Sequence, residues 1–148
     1  MSIKALIEQR ISCNYFDASF SLSDQQIAEL VSLATRAPSA YNGQNWRFIA
    51  VRTPEARQAM VQIACGQQKV ADAAVCFVVC GRLDLHSQLA QTLAPSCAAG
   101  ILTPDLLQTM VHYATEAYQD QPGLQRDEAI RSASLAGMTL MLAAQGMR

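Results

Sequence analysis

Between helix-forming and strand-forming stretches the chain reads Arg36-Ala37-Pro38-Ser39-Ala40-Tyr41-Asn42-Gly43-Gln44-Asn45-Trp46. Ser39, Asn42, Gln44 and Asn45 place four neutral hydrogen-bonding side chains close together, beside the aromatic ring of Tyr41 and between apolar elements. A loop so equipped suits a flat ligand with a polar edge. The same residues also serve as plain turn formers, since Pro38-Ser39 and Asn42-Gly43 are ordinary turn pairs, and residue types alone favour that simpler reading.

Other reactive side chains carry less. His86 and His112 stand far apart in a predominantly helical region, so neither reads as a catalytic acid or a metal ligand. The five cysteines, Cys13, Cys65, Cys76, Cys80 and Cys97, are odd in number and lack the paired C-x-x-C spacing of zinc sites. Reduced thiols in a cytoplasm are expected, with Cys76 and Cys80 as small core residues on one face of a strand. No G-x-G-x-x-G follows either predicted strand, which argues against a resident nicotinamide cofactor in a Rossmann site.

The elements that must position the loop follow from local pattern. Ser2 caps a short helix over Ile3–Gln9. Ser23 and Gln26 form a capping box, after which Ile27, Leu30, Val31 and Ala34 repeat at helical spacing up to Arg36. Pro38 stops that helix, and Trp46–Val51 has the β-branched and aromatic content of a strand, with Trp46 as its core anchor. Thr53-Pro54 opens a helix to about Ala64, and residues 74 to 80 form an apolar run that predicts a second, buried strand. Thr103-Pro104 opens a helix to about Tyr118, which Gln121-Pro122-Gly123 breaks. The last helix, about Asp127 to Gln145, is apolar on nearly every face from Ala133 to Ala144 and is expected to be buried all round. Helices outnumber strands, so the class is α+β in one domain over residues 1–148.

Composition narrows the partners. Hydrophobic residues make up 51% of the 148 residues and charged residues 16%, enough for one core and for an apolar face to spare. A net charge of -1 without a Lys/Arg cluster supplies no footprint for nucleic acid or an anionic membrane surface. The longest apolar runs are shorter than a bilayer span, and the N-terminus lacks the pattern of a secretion signal, so a cytoplasmic protein is expected.

The pattern A-P-S-x-x-N-x-Q-x-W at Ala37–Trp46 resembles that of the nitroreductase superfamily. Arg10-Ile11-Ser12-Cys13-Asn14-Tyr15-Phe16 resembles the family's R-x-S-x-[R/K]-x-[F/Y], Gln67 to Ala73 resembles its Q-x-x-V-x-x-A, and Ile130 to Met138 resembles its central helix. These matches stand in the family's order along nearly the whole chain. The resemblance implies a nitroreductase-like fold, a central sheet flanked by helices with a buried central helix, assembled as an intertwined homodimer with FMN at the interface. Arg10, Ser12 and Asn14 would then contact the flavin phosphate or pyrimidine edge from one subunit. Pro38, Ser39, Ala40 and Asn42 would contact it from the other, Gln67 would hydrogen-bond the ring edge, and Tyr41 would flank the pocket. No catalytic side chain and no metal site is implied.

Two departures accompany the match. Asn14 stands where the family usually has Arg or Lys, and Lys4, Lys69 and Arg47 are the candidates to replace that cation. Family members also continue beyond the central helix into a segment near flavin N5, whereas this sequence stops at Gly146-Met147-Arg148, so a truncated chain is expected. The implied activity is FMN-dependent hydride transfer from NAD(P)H, a transient reductant, to a nitroaromatic, quinone or enone acceptor. The alternatives are a non-enzymatic flavin-binding module and an inactive remnant of the family.

Overall fold

The computed structural model describes residues 2–147; Met1 and Arg148, the two ends of the expected domain, lie outside the described residues. Helices dominate: α1 (Ile3–Gln9), α2 (Asp24–Ala34), α3 (Pro54–Ile63), the single turn α4 (Lys69–Asp72), α5 (Leu85–Ala98), α6 (Pro104–Tyr118) and α7 (Pro122–Gly146). Strands β1 (Trp46–Val51) and β2 (Cys76–Gly81) pair in one small sheet. The Arg82 N–H donates to the Asn45 carbonyl at 2.7 Å, so the start of β1 lies beside the end of β2 and the strands run antiparallel. This is a helix-rich α+β fold.

Local chemistry sets the helix starts. Ser2 Oγ accepts from Ala5 N–H at 3.2 Å, and Thr53 and Thr103 do the same for Ala56 and Leu106 at 3.3 and 3.2 Å, each followed by a proline at the first helical position. At α2 the box closes from both sides: Gln26 N–H donates to Ser23 Oγ at 3.2 Å while Ser23 N–H donates to Gln26 Oε1 at 2.9 Å. Each cap satisfies a donor that the helix cannot, worth about 1 kcal/mol.

Three elements depart from the sequence reading. Strand β2 is half-buried along Cys76–Cys80 rather than buried, because a strand with a single neighbour leaves an edge and part of its faces uncovered. Helix α5, left without bounds by the local pattern, buries Leu85, Leu89 and Leu93 at four-residue spacing and carries Pro95 in its last turn. Pro122 does more than break α6: it opens α7 at a position where a missing N–H costs nothing, so the last helix begins five residues before Asp127. Helix α7 is buried along the stripe Glu128, Ser132, Ala136 and Leu140, with Ala129 beside it, whereas Ile130 is 49% and Met141 50% exposed. One chain therefore covers only one face of it. No described helix is long and apolar enough to cross a membrane.

Contacts gather the chain into two compact units that alternate along the sequence. The first holds residues up to Ala34, Phe48–Val78 and those from Thr139 onward; the second holds Thr35–Arg47 and Val79–Met138. In the first, Ile27, Leu30, Ala34, Val61 and Leu140 are buried. In the second, Leu85, Leu89, Leu93 and Ala114 form the core, with Tyr41, Met110, Val111 and Tyr118 packed on it. Burying each such leucine contributes roughly 1.5–3 kcal/mol, and here that burial also fixes the loop that carries Tyr41.

Candidate functional site

The loop after α2 belongs to the second unit and is held by unusually specific backbone geometry. Ser39 is extended, Ala40–Asn42 make one 3-10 turn, and Tyr41, Asn42 and Gln44 have φ of 54°, 51° and 47°. Left-handed backbone at three non-glycine residues costs on the order of 1–2 kcal/mol for each, less for asparagine. The surroundings must repay that cost.

Local bonds supply part of it. Ser39 Oγ accepts from Gln44 N–H at 2.9 Å, Asn42 N–H donates to Ser39 O at 3.0 Å, and Gly43 N–H donates to Ala40 O at 2.8 Å. Asn45, 3% exposed, donates its Nδ2 to Arg82 O at 3.2 Å and so ties the loop's end to the end of β2. The Tyr41 ring meets Tyr118 edge to face, with centroids 6.4 Å apart. Gly43 packs closely, since a Cβ there would fall 2.7 Å from two carbons of Leu85, whose side chain would have to shift.

One tether comes from far along the chain. Ala40 N–H donates to Glu128 Oε1 at 3.4 Å, and the same oxygen accepts from Ser132 Oγ at 2.7 Å. Arg131 Nη1 donates to Glu128 Oε2. The Glu128 side chain is 4% exposed, so a buried carboxylate meets three donors and is fully compensated. Burial, the Glu128 charge and neighbouring Tyr41 together push the Tyr118 hydroxyl up from its ordinary range, with Arg131 opposing. Near the end of β2, burial works to raise Asp84, but the Arg82 hydrogen bond and charge, aided by a backbone bond and by Arg47, hold its carboxyl below the usual value.

The expected cofactor residues fall into two groups, one in each unit. Pro38, Ser39, Ala40 and Asn42 share the loop just described; Pro38 and Asn42 are exposed, while Ser39 Oγ and the Ala40 N–H are engaged inside the protein. Arg10, Ser12, Asn14 and Gln67 belong to the first unit. Arg10 caps α1, half-buried, and its guanidinium has no partner among the described residues. Ser12 and Asn14 are exposed on the irregular segment that follows, and Gln67 is exposed ahead of α4, its Nε2 donating to Ala64 O at 3.1 Å.

Lys69 Nζ donates to Asn14 Oδ1 at 3.3 Å, joining the segment of Arg10 and Ser12 to that of Gln67. Lys4 pairs with Glu8 at 3.8 Å and Arg47 donates to Trp46 O at 3.3 Å, so Lys69 is the one of the three candidate cations found on Asn14. The first unit thus carries an arginine, a lysine, a hydroxyl and two amides on two segments joined by the Lys69–Asn14 bond, a donor set whose chemistry fits a phosphate beside an amide-edged ring. Trp46, 4% exposed, is a core anchor as expected. His112 is exposed against Glu116 at 3.5 Å and His86 is half-buried on α5.

Glu128 escaped the sequence reading because it follows Asp127 and resembles one of two surface acids. A signal existed: Glu128, Ser132, Ala136 and Leu140 recur every four residues, which puts the acid on the buried stripe.

Comparison with known proteins agrees with this architecture. A sequence profile of the nitroreductase family matches residues 7–148. YodC of Bacillus subtilis, assigned as an NAD(P)H nitroreductase, is 30% identical over 140 residues, which cover 95% of this chain and 69% of YodC. The crystal structure of ydfN from Bacillus subtilis, assigned as a nitroreductase, has a TM-score of 0.88 at 29% identity, covering 97% of this chain and 70% of that one. A protein of Exiguobacterium sibiricum assigned as a nitroreductase and crystallised in complex with FMN gives 0.90 at 21% identity, covering 98% and 70%. The chain belongs to the nitroreductase family.

Proposed function

We propose that this protein is an FMN-dependent oxidoreductase that moves hydride from NAD(P)H to a small nitroaromatic, quinone or enone acceptor. It works as a homodimer, with residues 1–148 forming one nitroreductase-like domain in each subunit. The observation that carries this reading is the Lys69–Asn14 hydrogen bond, which brings a cation to the position where the family's own cation is replaced. The FMN-bound relative from Exiguobacterium sibiricum and the NAD(P)H nitroreductase assignment of YodC support the choice of cofactor and reductant.

Bound FMN supplies the hydride chemistry. Arg10, Ser12 and Lys69 hold its phosphate by charge-assisted hydrogen bonds. Asn14 orients Lys69, and Gln67 offers an amide to the ring edge. The loop of Pro38, Ser39, Ala40 and Asn42 meets the flavin from the other subunit, Pro38 and Asn42 through their exposed surfaces and Ser39 and Ala40 by holding the loop's shape, so that it excludes water and sets the ring's position. NAD(P)H and acceptor would occupy the same space in turn, the proton that accompanies the hydride would come from solvent, and no catalytic side chain or metal is assigned to the step.

The test is steady-state oxidation of NADH and NADPH with a quinone and a nitrofuran by FMN-loaded protein. Turnover that depends on FMN is expected. Bound flavin without turnover would make the protein a flavin-binding module, and neither flavin nor turnover would mark an inactive remnant.

A further inference from the structure

We infer that Glu128 is a positioning residue for the Ala40–Gln44 loop, acting through the Ala40 N–H, and that the loop's competence to hold a flavin depends on it. The role rests on the flavin reading given above. The loop contains left-handed backbone at Tyr41, Asn42 and Gln44, a shape that a free chain of these residues does not keep. Its bonds from Ser39 to Gln44 are short-range and can be made by a loop displaced as a unit. The Asn45 bond to Arg82 fixes its exit. At its entry, the Ala40 N–H points inward to Glu128 Oε1 at 3.4 Å, a partner 88 residues away on α7.

Glu128 is built for this task and for little else. Its carboxylate is 4% exposed, its Oε1 is shared between Ala40 and Ser132, and its Oε2 takes the Arg131 guanidinium, which is itself 63% exposed. Ser132 and Arg131 lie one turn away on the same helix and satisfy the carboxylate's other lone pairs, with Arg131 and the Ala40 N–H engaging one oxygen each. A buried polar group engaged on all sides cannot move without leaving a charge or an N–H unpaired, so it transmits the rigidity of α7 to the loop. The Ala40 N–H is consequently a structural donor, and the flavin-facing groups of this loop are those left outside: Asn42 and the exposed surface of Pro38.

Four variants separate positioning from bulk stability. Glu128→Ala removes the acceptor. Ala40→Pro removes the donor while leaving the carboxylate with Ser132 and Arg131, and the extended backbone of Ser39 accommodates a following proline. Glu128→Gln keeps an oxygen for Ala40 and Ser132. Ser132→Ala deletes the neighbouring 2.7 Å bond without touching the tether. Amide hydrogen exchange is measured over residues 41–44 in apoprotein, with FMN affinity from fluorescence quenching.

Glu128→Ala and Ala40→Pro are expected to speed exchange in the loop at least tenfold and to raise the FMN Kd at least tenfold. Glu128→Gln is expected to stay within about threefold of wild type on both, and Ser132→Ala to lower Tm with neither change. Wild-type exchange and affinity in Ala40→Pro would overturn the inference, as would an equal loss of FMN affinity in Ser132→Ala. Wild-type protein that binds no FMN would overturn the functional reading itself, while the exchange arm would still report on the tether alone.

Discussion

Lys69 donates to Asn14 across 55 residues of sequence, at 3.3 Å, and so brings a second positive charge to the segment of Arg10. A cation at one remove is less strongly placed than one on the segment itself, and under the proposed function it would serve the flavin phosphate from there. Replacing Lys69 by Met keeps the aliphatic stem and deletes the charge. FMN affinity should fall about tenfold, the low end of the ~1.5 to 3 kcal/mol for a charge-assisted bond, because the pair is partly solvated. Calorimetric titration at two salt concentrations checks this; the variant should also show a weaker salt dependence than wild type, and an unchanged Kd would place Lys69 outside the site.

The exposed apolar side of α7 carries Ile130 at 49%, Leu135 at 41%, Met138 at 39% and Met141 at 50% exposure. Such a row costs free energy in water, and in the proposed homodimer it is the surface that a second subunit would cover. Ile130→Glu should shift the protein from dimer toward monomer by at least tenfold in dissociation constant in sedimentation velocity, with far-ultraviolet helicity unchanged. A wild-type chain that sediments as a monomer at micromolar concentration would contradict the homodimer.

Two glycines should respond differently to alanine. At Gly81 a new Cβ would fall 2.3 Å from the Ala129 carbonyl oxygen, a backbone atom of α7 that cannot step aside. At Gly43 it would fall 2.7 Å from Leu85, whose flexible side chain can. Gly81→Ala should cost on the order of 1–3 kcal/mol in urea unfolding and exceed Gly43→Ala. The reverse order would mean that the end of β2 and α7 are less tightly apposed.

Tyr118 gives the loop's surroundings an alkaline limit. Burial first, then the Glu128 charge and Tyr41, raise its folded pKa above the ordinary 10.0. A raised folded pKa adds stability that is fully present below the unfolded pKa and is lost as pH rises through the folded value. Wild-type Tm should therefore decline once pH passes about 10. Tyr118→Phe keeps the ring against Tyr41 and should flatten that decline. Parallel pH profiles of the two proteins would show that the Tyr118 pKa is the same folded and unfolded, against the raised value.

Legibility in the sequence followed the range of the interactions. Strand β1 at Trp46–Val51 and the starts of α2, α3 and α6 were readable because Ser23-Gln26, Thr53-Pro54 and Thr103-Pro104 act within one turn. Helix α5 was not bounded: Asp84 makes no side-chain cap and Pro95 interrupts the pattern, although Leu85, Leu89 and Leu93 mark its buried face. The motif loop could be placed but not its left-handed turns, which depend on neighbours. Glu128 and Ala40 meet over 88 residues, and nothing local marks either as the other's partner. Lys69 was one of three candidate cations, and only folding selects it.

Whether this chain holds FMN is read from the absorbance spectrum of purified protein before and after incubation with FMN and removal of free ligand. A flavin absorbance band is expected, with as many flavins as chains, ~1 per subunit. A colourless protein that retains none after incubation would contradict it.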